Sequence, residues 1–414
     1  MRDCLDRIVR HSHGRLLAFL AKRAGNDIAL AEDALADAYS RALTRWPTSG
    51  VPDRPEAWLV RVAGHRIIDG QRRMRTQQTH WSELAQMTQK STETRAEFSP
   101  VDQSTELLDE RLQMMFACAH PAIDARIRTP LLLQAVLGMS VQRMASVFLV
   151  SPSTLSQRLV RAKNKIRDAG IRFEMPANLT SRTQGVLDAI YAAFTIEWDD
   201  RNDLKTSFAD DAIDLVCIVT DRLPEHAEAA GLLALLLYCK SRDRASRDEA
   251  GRYVPLQEQS TALWDTDLIQ RAEVELRRAS RLGSPGRYQL EAAIQSAHVS
   301  QRTTGSASWE DIIQLHHALR SVTATIGVDV SLAAALAGSG AFESAMSTLD
   351  QIDQSRVQTH QPYWAVRAEV LRRLGDPNSV AAYDRAIGLS RAQSIRDHLR
   401  RRQLFAMEST DGDA

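Results

Sequence analysis

The chain has 414 residues, 44% of them hydrophobic, 25% charged and only 6% aromatic. This is ordinary globular composition with room for two to four domains; it excludes disordered and collagen-like classes and argues against an all-β protein. The formal charge is zero, yet 26 Lys and Arg against 18 Asp and Glu give residues 1–172 a net of +8, and residues 173–414 carry −8, so one half is expected to meet a polyanion.

Residues 1–80 read as helices. Leu16, Leu17, Phe19 and Leu20 are followed by Ile28, Leu30, Ala31, Ala34, Leu35, Ala38, Tyr39 and Leu43 at helical spacing, with Asn26-Asp27 as a start signal. Asp33, Asp37 and Arg41 lie four apart and share a face, which suits either docking on a partner helix or pairing on a solvated surface. Pro47 to Pro55 reads as a loop. The next helix opens at Pro55 and buries Leu59, Val62, Ala63, Ile67 and Ile68. Trp58 precedes a cationic tract of Arg61, His65, Arg66, Arg72, Arg73 and Arg75. An aromatic beside cations can hold an unstacked base and track its phosphates, and Trp58 can equally fill the core.

Residues 81–108 are polar and acidic, with Pro100, and read as a flexible linker. From Arg126 to Arg172 there are nine Lys or Arg and one acid. Within this stretch the pattern predicts a helix-turn-helix. Ser140 caps a short helix that buries Met144, Ala145 and Phe148, Ser151-Pro152-Ser153 makes the turn, and a longer helix buries Leu155, Leu159, Ala162 and Ile166. Ser153, Thr154, Ser156 and Gln157 open the outer face with short polar side chains suited to base edges. Arg158, Arg161, Lys163 and Lys165 continue it with cations suited to phosphates.

Residues 173–414 read as helical throughout. The longest apolar run, Ala229 to Cys239, is too short to span a bilayer. Gly340 and Gly375 stand 35 residues apart in similar surroundings, near the tetratricopeptide period, where small residues would let two helices approach closely. The acids at Glu197, Asp199, Asp200, Asp203, Asp210 and Asp211 read as a solvated face. Four scattered cysteines and an acid-bearing N-terminus point to a reducing cytoplasm, without disulfides or a secretory signal. Cys118 and His120 alone do not make a metal site. His11, His13, His316 and His317 read as surface or interface residues. No phosphate loop or nucleophile–base motif is present, so no cofactor, metal or catalytic activity is expected.

AEDALADAYSRALTRW (31–46), PEAWLVRVAGHRIIDGQRRMR (55–75) and LSQRLVRAKNKIR (155–167), in this order, resemble bacterial sigma factors of the extracytoplasmic-function group. DERLQMMFACAHPAI (109–123), residues 230–265 and GRYQLEAAIQSAH (286–298) are similar to the subgroup with a long C-terminal helical, tetratricopeptide-like extension. The chain departs from that pattern at Gly64-His65, at Arg143 where an acid is usual, at Cys118-Ala119-His120-Pro121, and at Phe194 to Trp198. The resemblance implies an all-α chain with five parts: 1–80 as sigma region 2, 81–108 as linker, 109–172 as region 4, 173–283 as a helical extension, and 284–414 as tetratricopeptide-like repeats. It implies that Asp33, Asp37 and Arg41 face core RNA polymerase. Trp58, Arg61, His65, Arg66, Arg72, Arg73 and Arg75 would face the −10 element of promoter DNA, and the residues from Ser153 to Lys165 named above would face the −35 element. The extension would regulate activity in cis, with a regulatory protein or a ligand as partner. The other reading is a helix-turn-helix repressor or activator whose helical half senses a ligand or protein.

Overall fold

The computed structural model describes residues 5, 8, 12–82, 103–176, 179–199, 208–283, 285–305 and 307–411. The side chains of 71–82, 103–109, 180–181, 197–199, 302–303 and 408–411 fall outside the description. The described residues form nineteen α-helices and no strand beyond one antiparallel bridge between Arg247 and Tyr253. The chain divides into two compact units. The first comprises 1–196 with 205–212, and the second 197–204 with 213–414.

In the first unit, α1 (His13–Arg23) is the central helix and packs against α2 (Ile28–Ser49), α3 (Pro55–Ser82), α4 (Gln103–Cys118) and α5 (Ala125–Leu137). Leu16, Leu17, Ala18, Leu20 and Ala21 are all buried. A Cβ on Gly14 would stand 1.8 Å from the Val136 carbonyl oxygen, so α1 and α5 meet backbone to backbone. Asp27 caps α2 by accepting the Leu30 N–H at 3.0 Å.

The sequence expectation of a loop from Pro47 is corrected, because α2 runs through Pro47 to Ser49. The hydroxyls of Thr48 and Ser49 donate to the Arg45 carbonyl, each at 2.9 Å, and Gly50 ends the helix at φ +82°. Those bonds engage a carbonyl near the proline, whose missing N–H weakens the ladder there.

The first unit continues with α6 (Val141–Val147), α7 (Pro152–Asp168) and α8 (Thr180–Asp199). Within this unit the N-terminal helices pack against the later ones, α1 on α4 and α2 on α7. Arg23 pairs with Glu110 at 3.2 Å and Arg167 with Asp27 at 3.6 Å, while the Phe173 N–H donates to Asn26 Oδ1 at 3.3 Å. Residues up to 196 cluster with the first unit. Most of the expected linker, 83–102, lies outside the described residues.

The second unit takes in most of α9 (Phe208–Arg222), followed by α10 (Ala227–Ser241). The apolar run seen in the sequence is the core of α10, which is buried on nearly every side between α11 (Thr266–Arg281) and α12 (Arg287–Thr304). The Glu228 carboxylate accepts the N–H groups of Tyr288 and Gln289 at 2.9 and 3.1 Å, satisfying the open N-terminus of α12. Beyond come α13 (Trp309–Val322), α14 (Ile326–Gly338), α15 (Phe342–Asp350), α16 (Gln354–Val357), α17 (Gln361–Arg373), α18 (Ser379–Leu389) and α19 (Gln393–Asp411).

The pairs α14–α15 and α17–α18 turn on Gly340 and Gly375, at φ +89° and +72°. The reason for these glycines differs from the expected one: nothing lies within 4 Å of a Cβ at either position, so left-handed backbone, not close approach, requires them. His316, expected at the surface or an interface, is buried in α13. Gly340→Ala is therefore expected to cost about 1–2 kcal/mol, and Gly340→Asn less. Urea midpoints check this, and an unchanged midpoint for the alanine variant would deny the left-handed turn.

Candidate nucleic-acid interface

The helix pair α6–α7 is fixed by two serine caps. Ser140 accepts the Arg143 N–H at 3.4 Å, and Ser151 accepts the Thr154 N–H at 3.2 Å with Pro152 at the first position of α7. The connecting turn places Leu149 at φ +53° with its side chain in solvent. Leu155, Leu159, Ala162 and Ile166 are buried. Ser153, Ser156, Gln157, Arg158, Arg161 and Lys165 are exposed, and Thr154 is half-buried against Ser151.

Lys163 is not on that exposed face. It is 6% exposed, and its Nζ donates to both Glu32 oxygens, at 2.7 and 2.5 Å. Lys163 follows Leu159 by four and precedes Ile166 by three, so it borders the apolar stripe, and the packing of α2 against α7 turns that border into interior. A single-helix pattern had no means of showing a second helix there. Conversely, Arg126 was not singled out, yet it shares a cleft of about 340 Å³ with Arg158, Arg161 and Lys165. Three α7 cations and one from the first turn of α5 converge there, as a phosphate contact requires.

On α2, Asp33 and Arg41 are exposed, and Asp37 pairs with Arg41 at 2.9 Å. The helix therefore presents Asp33, Asp37 and Arg41 outward while Asp27 and Glu32 hold α7. On α3, Leu59, Ala63 and Ile67 are buried, and Arg61, His65 and Arg66 are exposed. Trp58 is half-buried, with its ring 5.5 Å from the buried Trp46 in an edge-on contact. Part of its surface serves the core and part reaches solvent. Arg72, Arg73 and Arg75 lie on α3 with side chains outside the described residues. The α3 start is anchored by a contact the sequence did not reveal: Glu56 accepts from Arg15 at 2.8 and 2.9 Å and from the Ser12 hydroxyl.

Arg143 stacks over the Phe208 ring at 4.8 Å. Cys118 is buried and its thiol is pushed up to about 12. His120 accepts the Ala122 N–H through Nδ1, and no metal-binding group of three ligands occurs among the described residues. No described helix is long and apolar enough to cross a membrane.

His13, expected at a surface or interface, stacks on Tyr39. Burial first, then the Lys163 charge, pushes it from 6.5 to about 4. The unfolded chain binds that proton near 6.5, so its contribution is full above this pH and is lost as pH falls toward 4. His13→Asn is expected to flatten part of the fall in urea midpoint between pH 7 and 4.5, and an unaltered slope would contradict the shift. For the ion pair, Lys163→Met strands Glu32. Because 27% of the Glu32 side chain is exposed, the loss should be about 2 kcal/mol, below that of a fully buried pair. Adding Glu32→Gln should restore most of it, whereas simple addition of the two losses would mean the pair does not hold α7 to α2.

Residues 9–77, which span α1, α2 and most of α3, match the sigma-70 region 2 family. Residues 182–280 match a family of unknown function, DUF6596, and that match crosses the junction of the two units. Over 377 residues the chain is 31% identical to "Uncharacterized protein R00370" of Rhizobium meliloti (strain 1021), an alignment covering 90% of this chain and 88% of that protein. No solved structure matches the chain. At that identity and coverage the chain belongs to the family of this Rhizobium protein, with a sigma-70 region 2 domain in its N-terminal part and a DUF6596 segment behind it.

Proposed function

We propose that the chain is a sigma subunit of the extracytoplasmic-function group, which joins core RNA polymerase and directs it to specific promoters. One observation carries this reading: the region 2 match over 9–77 stands in the same unit as a capped helix pair whose second helix shows polar and cationic side chains to solvent. In this reading α2 offers Asp33, Asp37 and Arg41 to polymerase. On α3, the exposed Arg61, His65 and Arg66 and the half-buried Trp58, with the Arg72–Arg75 tract further along the helix, take the −10 strand, with an unstacked base worth about 1–3 kcal/mol where it stacks on an aromatic.

The pair α6–α7 acts as a helix-turn-helix at the −35 element. Ser153, Thr154, Ser156, Gln157 and Arg158 would lie at base edges, and Arg161, Lys165 and Arg126 on phosphates. Lys163 is withdrawn from that set and assigned to the seam with Glu32. The protein catalyses nothing itself and works in the cytoplasm. The half beyond 212 regulates it in cis as a helical, tetratricopeptide-like extension, and its small-molecule or protein partner acts there.

Run-off transcription with core polymerase tests the reading, comparing the full chain with residues 1–212 on a promoter library. Specific initiation by the full chain is expected. Higher activity of the short form would make the extension a restraint, and a folded but inactive short form would make it a support. Arg161→Ala should lower the slope of log affinity against log salt by about 1 with sequence preference kept. No initiation, with duplex binding by the chain alone, would replace the sigma reading by a repressor or activator.

A further inference from the structure

The second unit holds a cavity of about 840 Å³, within the range that takes a small organic molecule. Its wall on the α14 side is built from small residues, among them Ala334, Ala335 and Gly338. A Cβ on Gly338 would stand 2.3 Å from the Trp309 ring, so glycine there lets the indole lie down on α14 and become a flat apolar wall. His298 meets that indole edge-on at 5.9 Å.

The polar part of the cavity is more telling. Behind Gln295 sits Arg242, which is 6% exposed. Its Nη2 donates to Gln295 Oε1 at 2.5 Å, its Nη1 has no partner, and no carboxylate pairs with it among the described residues. Arg373 and Arg402, which also line the cavity, are tied to Glu369 at 3.0 Å and to Glu258 at 2.6 Å. Arg242 is thus a buried cation behind the cavity wall with no carboxylate in ion-pair distance among the described residues.

The bond to Arg242 also settles how Gln295 is oriented. A guanidinium only donates, so the Gln295 oxygen must face it and the amide hydrogens must face away. No described residue accepts those hydrogens, and Gln295 lines the cavity. His298 follows on the same helix three residues on, so the two side chains are neighbours. Burial, with the Arg242 charge second, pushes His298 down to about 4, leaving a neutral imidazole that can donate one N–H. His316 also lines the cavity and keeps a buried Nδ1 without a partner. A cation-backed amide, a neutral imidazole and an indole wall together make a receptor for a negative group carried on an apolar body.

We propose that this cavity binds a small organic anion, its carboxylate or sulfonate held by Gln295 in front of Arg242 and its apolar body laid on Trp309. The proposal concerns binding alone and stands whether or not the chain is a sigma subunit.

The probe is 8-anilinonaphthalene-1-sulfonate, and its uncharged counterpart N-phenyl-1-naphthylamine is the control, both titrated by fluorescence into the full chain. The sulfonate should bind saturably at one site and about ten-fold more tightly than the neutral dye. Gln295→Ala should remove that ten-fold preference and leave the neutral dye unaffected. Ala334→Trp, which fills the cavity from α14, should abolish binding of both without shifting the thermal midpoint. Equal affinity of the two dyes for the unaltered chain would overturn the anion site, and so would sulfonate binding that survives Ala334→Trp. The comparison on the unaltered chain decides the matter even if Gln295→Ala fails to fold.

Discussion

Lys163 carries its ammonium group into the seam between α2 and α7, where both oxygens of Glu32 accept from it at 2.7 and 2.5 Å. Taking two charges out of water is costly, and the pair recovers that cost only when the geometry is good. The carboxylate shows the tension: burial raises Glu32 above its usual range, and the Lys163 charge and hydrogen bond pull it back. An interaction of this kind adds little net stability, but it punishes any other register of α7 on α2, because a slipped helix would leave a bare charge inside. Arg167 on Asp27 and Asn26 on the Phe173 N–H extend the same seam at its rim.

That seam gives α2 two edges with separate duties. One edge, Asp27 and Glu32, is spent on α7; the other, Asp33, Asp37 and Arg41, faces outward. The same division applies to α7, whose buried stripe and Lys163 face the protein while Ser153, Gln157, Arg158, Arg161 and Lys165 face solvent. Of the 26 Lys and Arg in residues 1–172, only a part is therefore free to meet a polyanion. Lys163, Arg23 and Arg15 are committed to Glu32, Glu110 and Glu56. Among the exposed cations, Arg126, Arg158, Arg161 and Lys165 gather beside α7, and Arg61 and Arg66 lie along α3.

The second unit depends on a different constraint, the all-apolar α10. A helix without a polar face has to be covered all round, and α11 and α12 do this. Gly231 allows the closeness, since a Cβ there would stand 2.7 Å from the Gln289 backbone, and Glu228 closes the N-terminus of α12 from the same helix. With the start of α12 fixed by α10, Gln295 and His298 fall on the side that lines the cavity with α14.

Much of the fold was legible in the chain. Apolar spacing marked α1 to α3, α6 and α7, and the caps at Asp27, Ser140 and Ser151 stand where short polar side chains preceded apolar runs. These are local facts: period, cap chemistry and turn residues act over a few neighbours, so sequence alone determines them. The exposed polar start of α7 was legible for the same reason. Tertiary structure decided what depends on a second element. It turned Lys163 from a surface cation into half of a buried pair and buried His316. It packed α2 against α7 and set Arg242 behind Gln295 across 53 positions of chain. A residue at the border of a helix's apolar stripe has no fate of its own, because whether it meets water or a carboxylate depends on which helix packs beside it, and that is fixed only when the whole core closes.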